Sequence, residues 1–282
     1  MANMTYLEAL KWASLRIQSK KLDDSAANYL MLALNDMDQT HLLMAYREVM
    51  PDEALQRFQR AIDQYLVGTP PQYIVGTAPF YGRNFIVNDH VLIPRQETEE
   101  LVEWVLAALP ATPVRVLDVG TGSGAIGLTL KAERPDWQVT LTDISAGAVA
   151  VARENTDRLQ LNVETHVGDL LQPVSGQSFD VIVSNPPYID PQEITVMDDD
   201  VVKSEPHLAL FADHAGLAIY EQLAQQLADH IVMTRHLFVE IGYHQGTAVK
   251  HLFESVLDPM SVDVHQDIAG HDRIVHVMLK EN

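Results

Sequence analysis

The sequence predicts a doubly wound α/β domain with a mostly parallel sheet, preceded by a small helical bundle. Three observations carry that expectation. From Val114 onward, short apolar strands alternate with helical segments, the pattern of a parallel sheet with crossover helices. Before that, about 70 residues show helical periodicity alone. Between the two lies Gly68-Thr69-Pro70-Pro71, followed by alternating aromatic and β-branched residues that read as a hairpin linker. The expected division is therefore a helical domain over 1–72, a linker over 73–95 and an α/β domain over 96–282.

Thr5-Tyr6-Leu7-Glu8 has the form of a capping box and opens a helix expected to reach Leu15. Further helices are expected over Ser25 to Leu34, Thr40 to Arg47, and after Pro51, where Leu55, Phe58, Ile62 and Leu66 fall on one face. Helices this short must pack on one another. They carry no catalytic constellation, so a docking role is expected of them. Tyr73 to Val87 reads as the hairpin, and Glu97 to Leu109 returns to helix. Strands are expected near residues 114–117, 139–142, 163–167, 179–184 and 236–241. The helices between them fall at 125–132, 146–159, 215–233 and 246–253. Two last strands, 262–266 and 273–279, flank Gly270 and are expected to pair antiparallel.

Composition narrows the functional classes. The chain has no cysteine, which excludes disulfides, thiolate metal sites and a cysteine nucleophile and fits the cytoplasm. No apolar run approaches the ~20 residues that span a bilayer, and no signal peptide is visible. With 19 basic against 39 acidic residues, the net charge of −20 disfavours direct contact with nucleic acid. A monomer without a metal is expected. His265, His271 and His276 straddle the presumed final hairpin, a poor arrangement for shared ligation. Asp198, Asp199 and Asp200 read as a solvated loop.

Asp118-Val119-Gly120-Thr121-Gly122-Ser123-Gly124 follows a strand and opens a helix. Glycines there let a ligand approach the backbone. Gly122, Gly124 and Gly127 also spell G-x-G-x-x-G, with Asp143 at the end of the next strand, which by itself fits a dinucleotide or a tight turn that binds nothing. The lack of a Gly-Lys-Ser/Thr ending disfavours a P-loop. Asp118 is expected to face the cavity, where it would repel a pyrophosphate by ~1–4 kcal/mol. S-adenosylmethionine has no phosphate, and its ammonium would suit a carboxylate, so that cofactor is favoured. Asp143 supports a nucleoside of either kind through its ribose hydroxyls.

Ser184-Asn185-Pro186-Pro187-Tyr188 ends the fourth strand, at the edge where such sheets bind ligands. Two prolines stiffen the loop and remove two donors. What remains is a pair of acceptors, the Asn185 side-chain oxygen and the Pro186 carbonyl, with the Tyr188 ring beside them. Such a pair suits a planar –NH2 group, either an amide or an exocyclic amine. Positioning that nitrogen in line with a methyl sulfonium would supply most of the rate.

At these residues the chain resembles the HemK/PrmC family of protein-(glutamine-N5) methyltransferases. The resemblance extends through Pro71-Gln72-Tyr73-Ile74-Val75-Gly76, Phe80-Tyr81-Gly82, Val91-Leu92-Ile93-Pro94-Arg95 with Glu97-Thr98-Glu99, Glu205-Pro206, and 267–273. It implies a Rossmann-like, class I methyltransferase sheet, and S-adenosylmethionine as cofactor with S-adenosylhomocysteine as product. Gly120, Thr121, Gly122, Ser123 and Gly124 would wrap the methionine end, Asp143 the ribose, and Leu170 the adenine. Asn185, Pro186, Pro187 and Tyr188 would form the glutamine pocket, with Asn185, Pro186 and Tyr188 catalytic and Asn185 also touching the cofactor. The implied partner is a peptide-chain release factor, through the glutamine of its Gly-Gly-Gln loop. Gln96 stands where a proline often follows Pro94-Arg95, and Leu170 where some members carry Trp. Arg95 and Glu97 either line the cofactor pocket or pair with each other. The competing readings are an adenine or ribosomal-guanine N-methyltransferase using the same acceptor pair, and a cofactor-binding module without activity.

Overall fold

A computed structural model describes residues 4–196, 202 and 204–280. The expected acidic loop at 198–200 lies outside the described residues. The chain forms two compact units, the first reaching Thr77 and including Val202 and Ser204, the second comprising the rest of the described chain.

In the first unit the Thr5 hydroxyl accepts from Glu8 N at 3.3 Å, and Glu8 Oε2 accepts from Thr5 N at 2.8 Å. This capping box starts α1 (Tyr6–Ser19), one turn longer than the apolar pattern predicts. Then come α2 (Ser25–Leu34), α3 (Gln39–Ala45) and α4 (Asp52–Leu66). Ile17, Leu30, Met31, Leu42, Phe58 and Ile62 are fully buried between them. Residues Pro71–Val75, of which 73–75 were expected within the hairpin, form a helical turn, α5. Pro71 sits at its first position, where no N–H is needed, and Gly76 closes it at φ 80°.

The second unit opens on the hairpin β1 (Thr77–Phe80) and β2 (Arg83–Ile86), followed by α6 (Glu97–Ala108). Its sheet contains β3 (Arg115–Val119), β4 (Gln138–Asp143), β5 (Glu164–Val167), β6 (Ser178–Ser184), β7 (Met233–Glu240), β8 (Pro259–Gln266) and β9 (Asp272–Leu279). Helices α7 (Ala125–Glu133), α8 (Ala146–Arg158), α9 (Ala218–Ala228) and α10 (Gly246–Val256) connect them. The strand order is β5-β4-β3-β6-β7-β9-β8; the first five are parallel, and β9 is antiparallel to both its neighbours.

Both faces are buried, so inner-strand residues alternate between two apolar layers. Val116, Val181, Val183 and Phe238 join the layer that includes residues of α6 and α7. Leu117, Ile182, Leu237 and Val239 join the layer containing Tyr220, Leu223, Val249 and Phe253 of α9 and α10.

The expected helix over 215–233 is shorter. His214 and Ala215 have positive φ, so α9 begins at Ala218, and His230 at φ 55° follows its end. Leu227 and Ile231 continue the helical spacing, which hid the break. Ile231 already serves the sheet, its carbonyl accepting from Gly176 N at 2.8 Å.

Strand order reverses between β3 and β6, the switch point at which doubly wound sheets bind ligands. Register makes that edge coherent. Val119 lies opposite both Ser184 and Thr142, so Gly120, Asn185 and Asp143 follow at one level.

Candidate active site

A cavity of about 320 Å³ opens at this edge. Gly120, Thr121, Gly122 and Ser123 line it on one side, with Asp143 and Leu170; Asn185, Pro186 and Pro187 line it on another. The expected cofactor residues and most of the tetrad thus meet at one cavity. Gly124 is not on its wall. It starts α7 at φ 83°, where a Cβ would come within 2.8 Å of Leu128 Cδ1.

Gly120 and Gly122 hold φ of 69° and 56°, a region that costs other residues ~1–2 kcal/mol. A Cβ on either would meet no protein atom within 4 Å, so the turn leaves space beside its backbone. The turn is pinned to β4: Gly120 N and Thr121 N both donate to the Thr142 carbonyl, at 2.9 and 3.0 Å. Asp143 accepts from Gly122 N through Oδ2 and from Ser145 N through Oδ1, both at 2.9 Å. Burial raises its pKa, and these two donors oppose the rise. Each oxygen retains acceptor capacity toward a ligand hydroxyl.

Asp118 departs from expectation. Its carboxylate is fully buried behind the turn, not on the cavity wall. Oδ2 accepts from Thr121 Oγ1 at 2.6 Å and from Gly127 N at 2.9 Å, while Oδ1 has no partner among the described residues. Burial pushes its pKa to about 6. The role fitting this geometry is structural: it braces the glycine turn against the first turn of α7. Gly127 belongs to the same brace, because a Cβ there would lie 2.3 Å from Leu141 Cδ2 and 2.9 Å from Asp118 Oδ2.

Leu170 lines the cavity in a left-handed conformation, φ 43°. Gln226 of α9 steadies its loop, donating to Asp169 Oδ2 at 3.1 Å and accepting from Leu171 N at 3.0 Å. The same helix contributes Ile219 and Gln222 to the cavity wall.

On the tetrad side, Asn185 Nδ2 donates to Thr98 Oγ1 at 3.1 Å, leaving Oδ1 as the uncommitted end of the amide. Thr98, in the first turn of α6, also lines the cavity. Tyr188 stands one step back, off the wall. Its hydroxyl lies 3.5 Å from Glu240 Oε1, and its carbonyl accepts from Gln245 Nε2 at 2.9 Å. Burial first, then Glu240, raises the Tyr188 pKa, so it stays a neutral phenol. Glu240 is 2% exposed at the end of β7, and burial pushes its pKa to about 7 against the Thr98 hydroxyl and Arg273.

Sequence reasoning missed Glu240 and did not single out Thr98. A carboxylate ending the apolar run Leu237-Phe238-Val239 was the available signal for Glu240. Arg95 lines the cavity but pairs with Glu205, at 2.5 Å, and not with Glu97. Glu205 is 4% exposed and also accepts from Ile93 N at 3.3 Å, tying the Ile93-Pro94-Arg95 segment down. Gln96 holds φ −65°, an angle that proline also adopts.

The histidines form no centre. His276 Nε2 lies 3.1 Å from His236 Nδ1, and His265 stacks on Trp104 with ring centres 3.8 Å apart. Burial, then His236, holds His276 down to about 4. Among the described residues no group of three or more His, Cys, Asp or Glu is arranged to hold a metal, and no helix is long and apolar enough to cross a membrane.

This architecture agrees with what is known of similar proteins. A methyltransferase of Pyrococcus furiosus shares the fold, with a TM-score of 0.54 and 16% identity over 79% of this chain and all of that one. Residues 96–209 match the methyltransferase small domain, and residues 8–76 the PrmC N-terminal domain. The release factor glutamine methyltransferase of Enterococcus faecalis is 41% identical over 95% of this chain and 97% of its own. That of Lactococcus lactis is 40% identical over 97% of this chain and all of its own. With relatives matched along almost its entire length, the chain belongs to the release factor glutamine methyltransferase family.

Proposed function

We propose that this enzyme transfers the methyl group of S-adenosylmethionine to the side-chain amide nitrogen (N5) of the glutamine in the Gly-Gly-Gln loop of a peptide-chain release factor. S-adenosylhomocysteine is the second product. The observation that carries this reading is the convergence of Gly120, Asp143 and Asn185 at one level of the sheet edge, around a single cavity.

The residues present fit the cofactor. The turn from Gly120 to Ser123 offers backbone beside open space for the methionine end, Asp143 offers acceptors for ribose hydroxyls, and Leu170 offers an apolar surface for adenine. Bound there, S-adenosylmethionine supplies an electrophilic methyl on a sulfonium leaving group.

The chain's own work is positioning. The Asn185 oxygen and the Pro186 carbonyl take the two hydrogens of the glutamine amide and turn its nitrogen lone pair toward the methyl. Pro187 keeps the loop stiff, and Tyr188 backs it from the Glu240 side. An amide nitrogen is a poor nucleophile because its lone pair is delocalised; two acceptors favour the pyramidal geometry that frees it. The proton leaves after the methyl arrives, so no strong base is required. The N-terminal helical unit is the part we assign to docking the release factor.

Mass spectrometry of release factor incubated with enzyme and S-adenosylmethionine tests the proposal. The expected result is a gain of one CH2 on a single glutamine. Methyl label found on DNA or ribosomal RNA, with none on release factor, would overturn it in favour of a nucleic-acid substrate.

A further inference from the structure

Pro186 and Pro187 have no N–H, so the middle of the tetrad loop cannot be held by donors of its own. Ahead of the prolines, Asn185 is tied to Thr98. Behind them the backbone takes over. Ile189 N donates to the Leu210 carbonyl at 3.0 Å, and Ala212 N donates to the Ile189 carbonyl at 3.0 Å. The tetrad loop therefore runs alongside residues 210–212. The helical turn His207–Leu210 brings Leu208 and Ala209 to the cavity wall that also carries Asn185, Pro186 and Pro187. Two segments of that wall are thus joined.

Both segments are fastened to one side chain. Gln245 Nε2 donates to the Tyr188 carbonyl at 2.9 Å and to the Ala215 carbonyl at 3.3 Å, while Gln245 Oε1 accepts from Gly242 N at 3.0 Å. The tetrad loop, the approach to α9 and the turn after β7 meet at a single amide. That amide stands only one way round. Reversed, its oxygen would face two carbonyls and its nitrogen an N–H.

Two further observations set this side chain apart. Gln245 is the N-cap residue of α10, yet its side chain makes no capping bond. Ser, Thr, Asp and Asn are the residues that cap well, so the position holds a residue unsuited to its local task and long enough to reach Tyr188. The segment it grips is also strained. His214 and Ala215 hold φ of 58° and 56°, the left-handed region that disfavours residues with a Cβ. Gly216 follows at φ 78°, where a Cβ would lie 2.0 Å from the Tyr188 carbonyl oxygen and 2.6 Å from Gln245 Nε2. Two unfavourable conformations and a glycine bring this segment against the Tyr188 carbonyl and the Gln245 amide.

We propose that Gln245 is a positioning residue for methyl transfer: its amide latches the tetrad loop to the segment ahead of α9 and so fixes Asn185 and Pro186 at the cavity. The inference rests on the functional reading of the tetrad given above. Gln245 does not line the cavity, so it acts through Tyr188 and touches neither substrate nor cofactor.

The latch works by donation, and two substitutions separate donation from shape. Gln245→Met keeps the length and removes both polar ends. Gln245→Glu keeps the shape and the acceptor for Gly242 N, but at neutral pH it turns an ionised oxygen on two carbonyls. Full-length enzyme, S-adenosylmethionine and purified release factor provide the test, with kcat taken per folded molecule. Gln245→Met should lower kcat by about 30-fold and Gln245→Glu by about 100-fold, the scale of a reacting group displaced by about an ångström, with KM for S-adenosylmethionine within about twofold of wild type. Wild-type kcat in Gln245→Met, or a rise in that KM matching the fall in kcat, would overturn the proposal. So would a Gln245→Glu variant milder than Gln245→Met, because the side chain would then serve by its shape.

A second readout does not depend on catalysis. Hydrogen exchange at the Ile189 and Ala212 amides, followed by NMR in Gln245→Met, should be about tenfold faster than in wild type. Equal rates at both amides would overturn the latch. A wild-type enzyme that methylates no release factor, while exchange quickens in the variant, would instead overturn the functional reading alone.

Discussion

The two walls of the cavity are built by opposite means. The glycine wall is made of backbone: two glycines at positive φ, two N–H groups on the Thr142 carbonyl, and Asp118 bracing the turn from behind. The tetrad wall is made of side chains held by other side chains, with Asn185 tied to Thr98 and Tyr188 reaching Glu240. Each wall has a fully buried carboxylate beneath it. Asp118 has two donors on one oxygen and serves shape, whereas Glu240 has only the Tyr188 hydroxyl, at 3.5 Å, on one oxygen and no partner on the other among the described residues. A backbone wall fails by packing; a side-chain wall fails by chemistry.

The largest effect expected of a single change separates the two. Asn185→Ala should cut kcat by about 1000-fold through lost positioning, while S-adenosylmethionine affinity measured by calorimetry changes less than about tenfold. An equal loss of affinity and rate would mean that the tetrad holds the cofactor more than the substrate. Gly127→Ala attacks the other wall. Its Cβ would intrude on Leu141 and Asp118, and after the gain in helix propensity we expect a loss of about 2 kcal/mol of stability, read from urea unfolding. The folded fraction should keep its kcat.

The smallest effect concerns pH. Glu240 is raised from 4.5 to about 7, so its burial as a charge is unfavourable: its contribution to stability is fully present below pH 4.5 and is lost as pH rises through 7. From pH 6 to 8.5 this amounts to about 1 kcal/mol, visible as a falling Tm. Glu240→Gln should remove most of that fall, leaving the smaller share from Asp118, whose pKa is pushed up to about 6. An unchanged slope would place the titration elsewhere.

The same contrast explains what was legible in the sequence. The alternation of strands and helices, the antiparallel last pair and the glycine turn are local patterns, and local patterns survive in one dimension. Asn185 and its prolines were legible for the same reason. The pairing of Asn185 with Thr98 was not, because the two are 87 positions apart and meet only in the fold. Asp118 was placed on the wrong side of its turn, since which face a strand residue presents depends on register with β4 and β6. The end of α9 was missed because His230 adopts a left-handed conformation that no glycine announces.

Helix α9 has a role that no single residue of it discloses. At Tyr220 it is fastened to the Glu240 carbonyl, at 2.7 Å, and at Gln226 to the loop carrying Asp169 and Leu171. Six residues of helix separate the two anchors, a rise of about 9 Å that resists stretching. The helix therefore works as a caliper, one jaw on the strand end behind Asn185 and the other on the Asp169–Leu171 loop at the cavity. On the function proposed above, the spacing between the two reacting partners is set when the chain folds, before either arrives. Much of the entropy that in-line displacement demands is thereby lost at folding, and the encounter of the substrates is spared it.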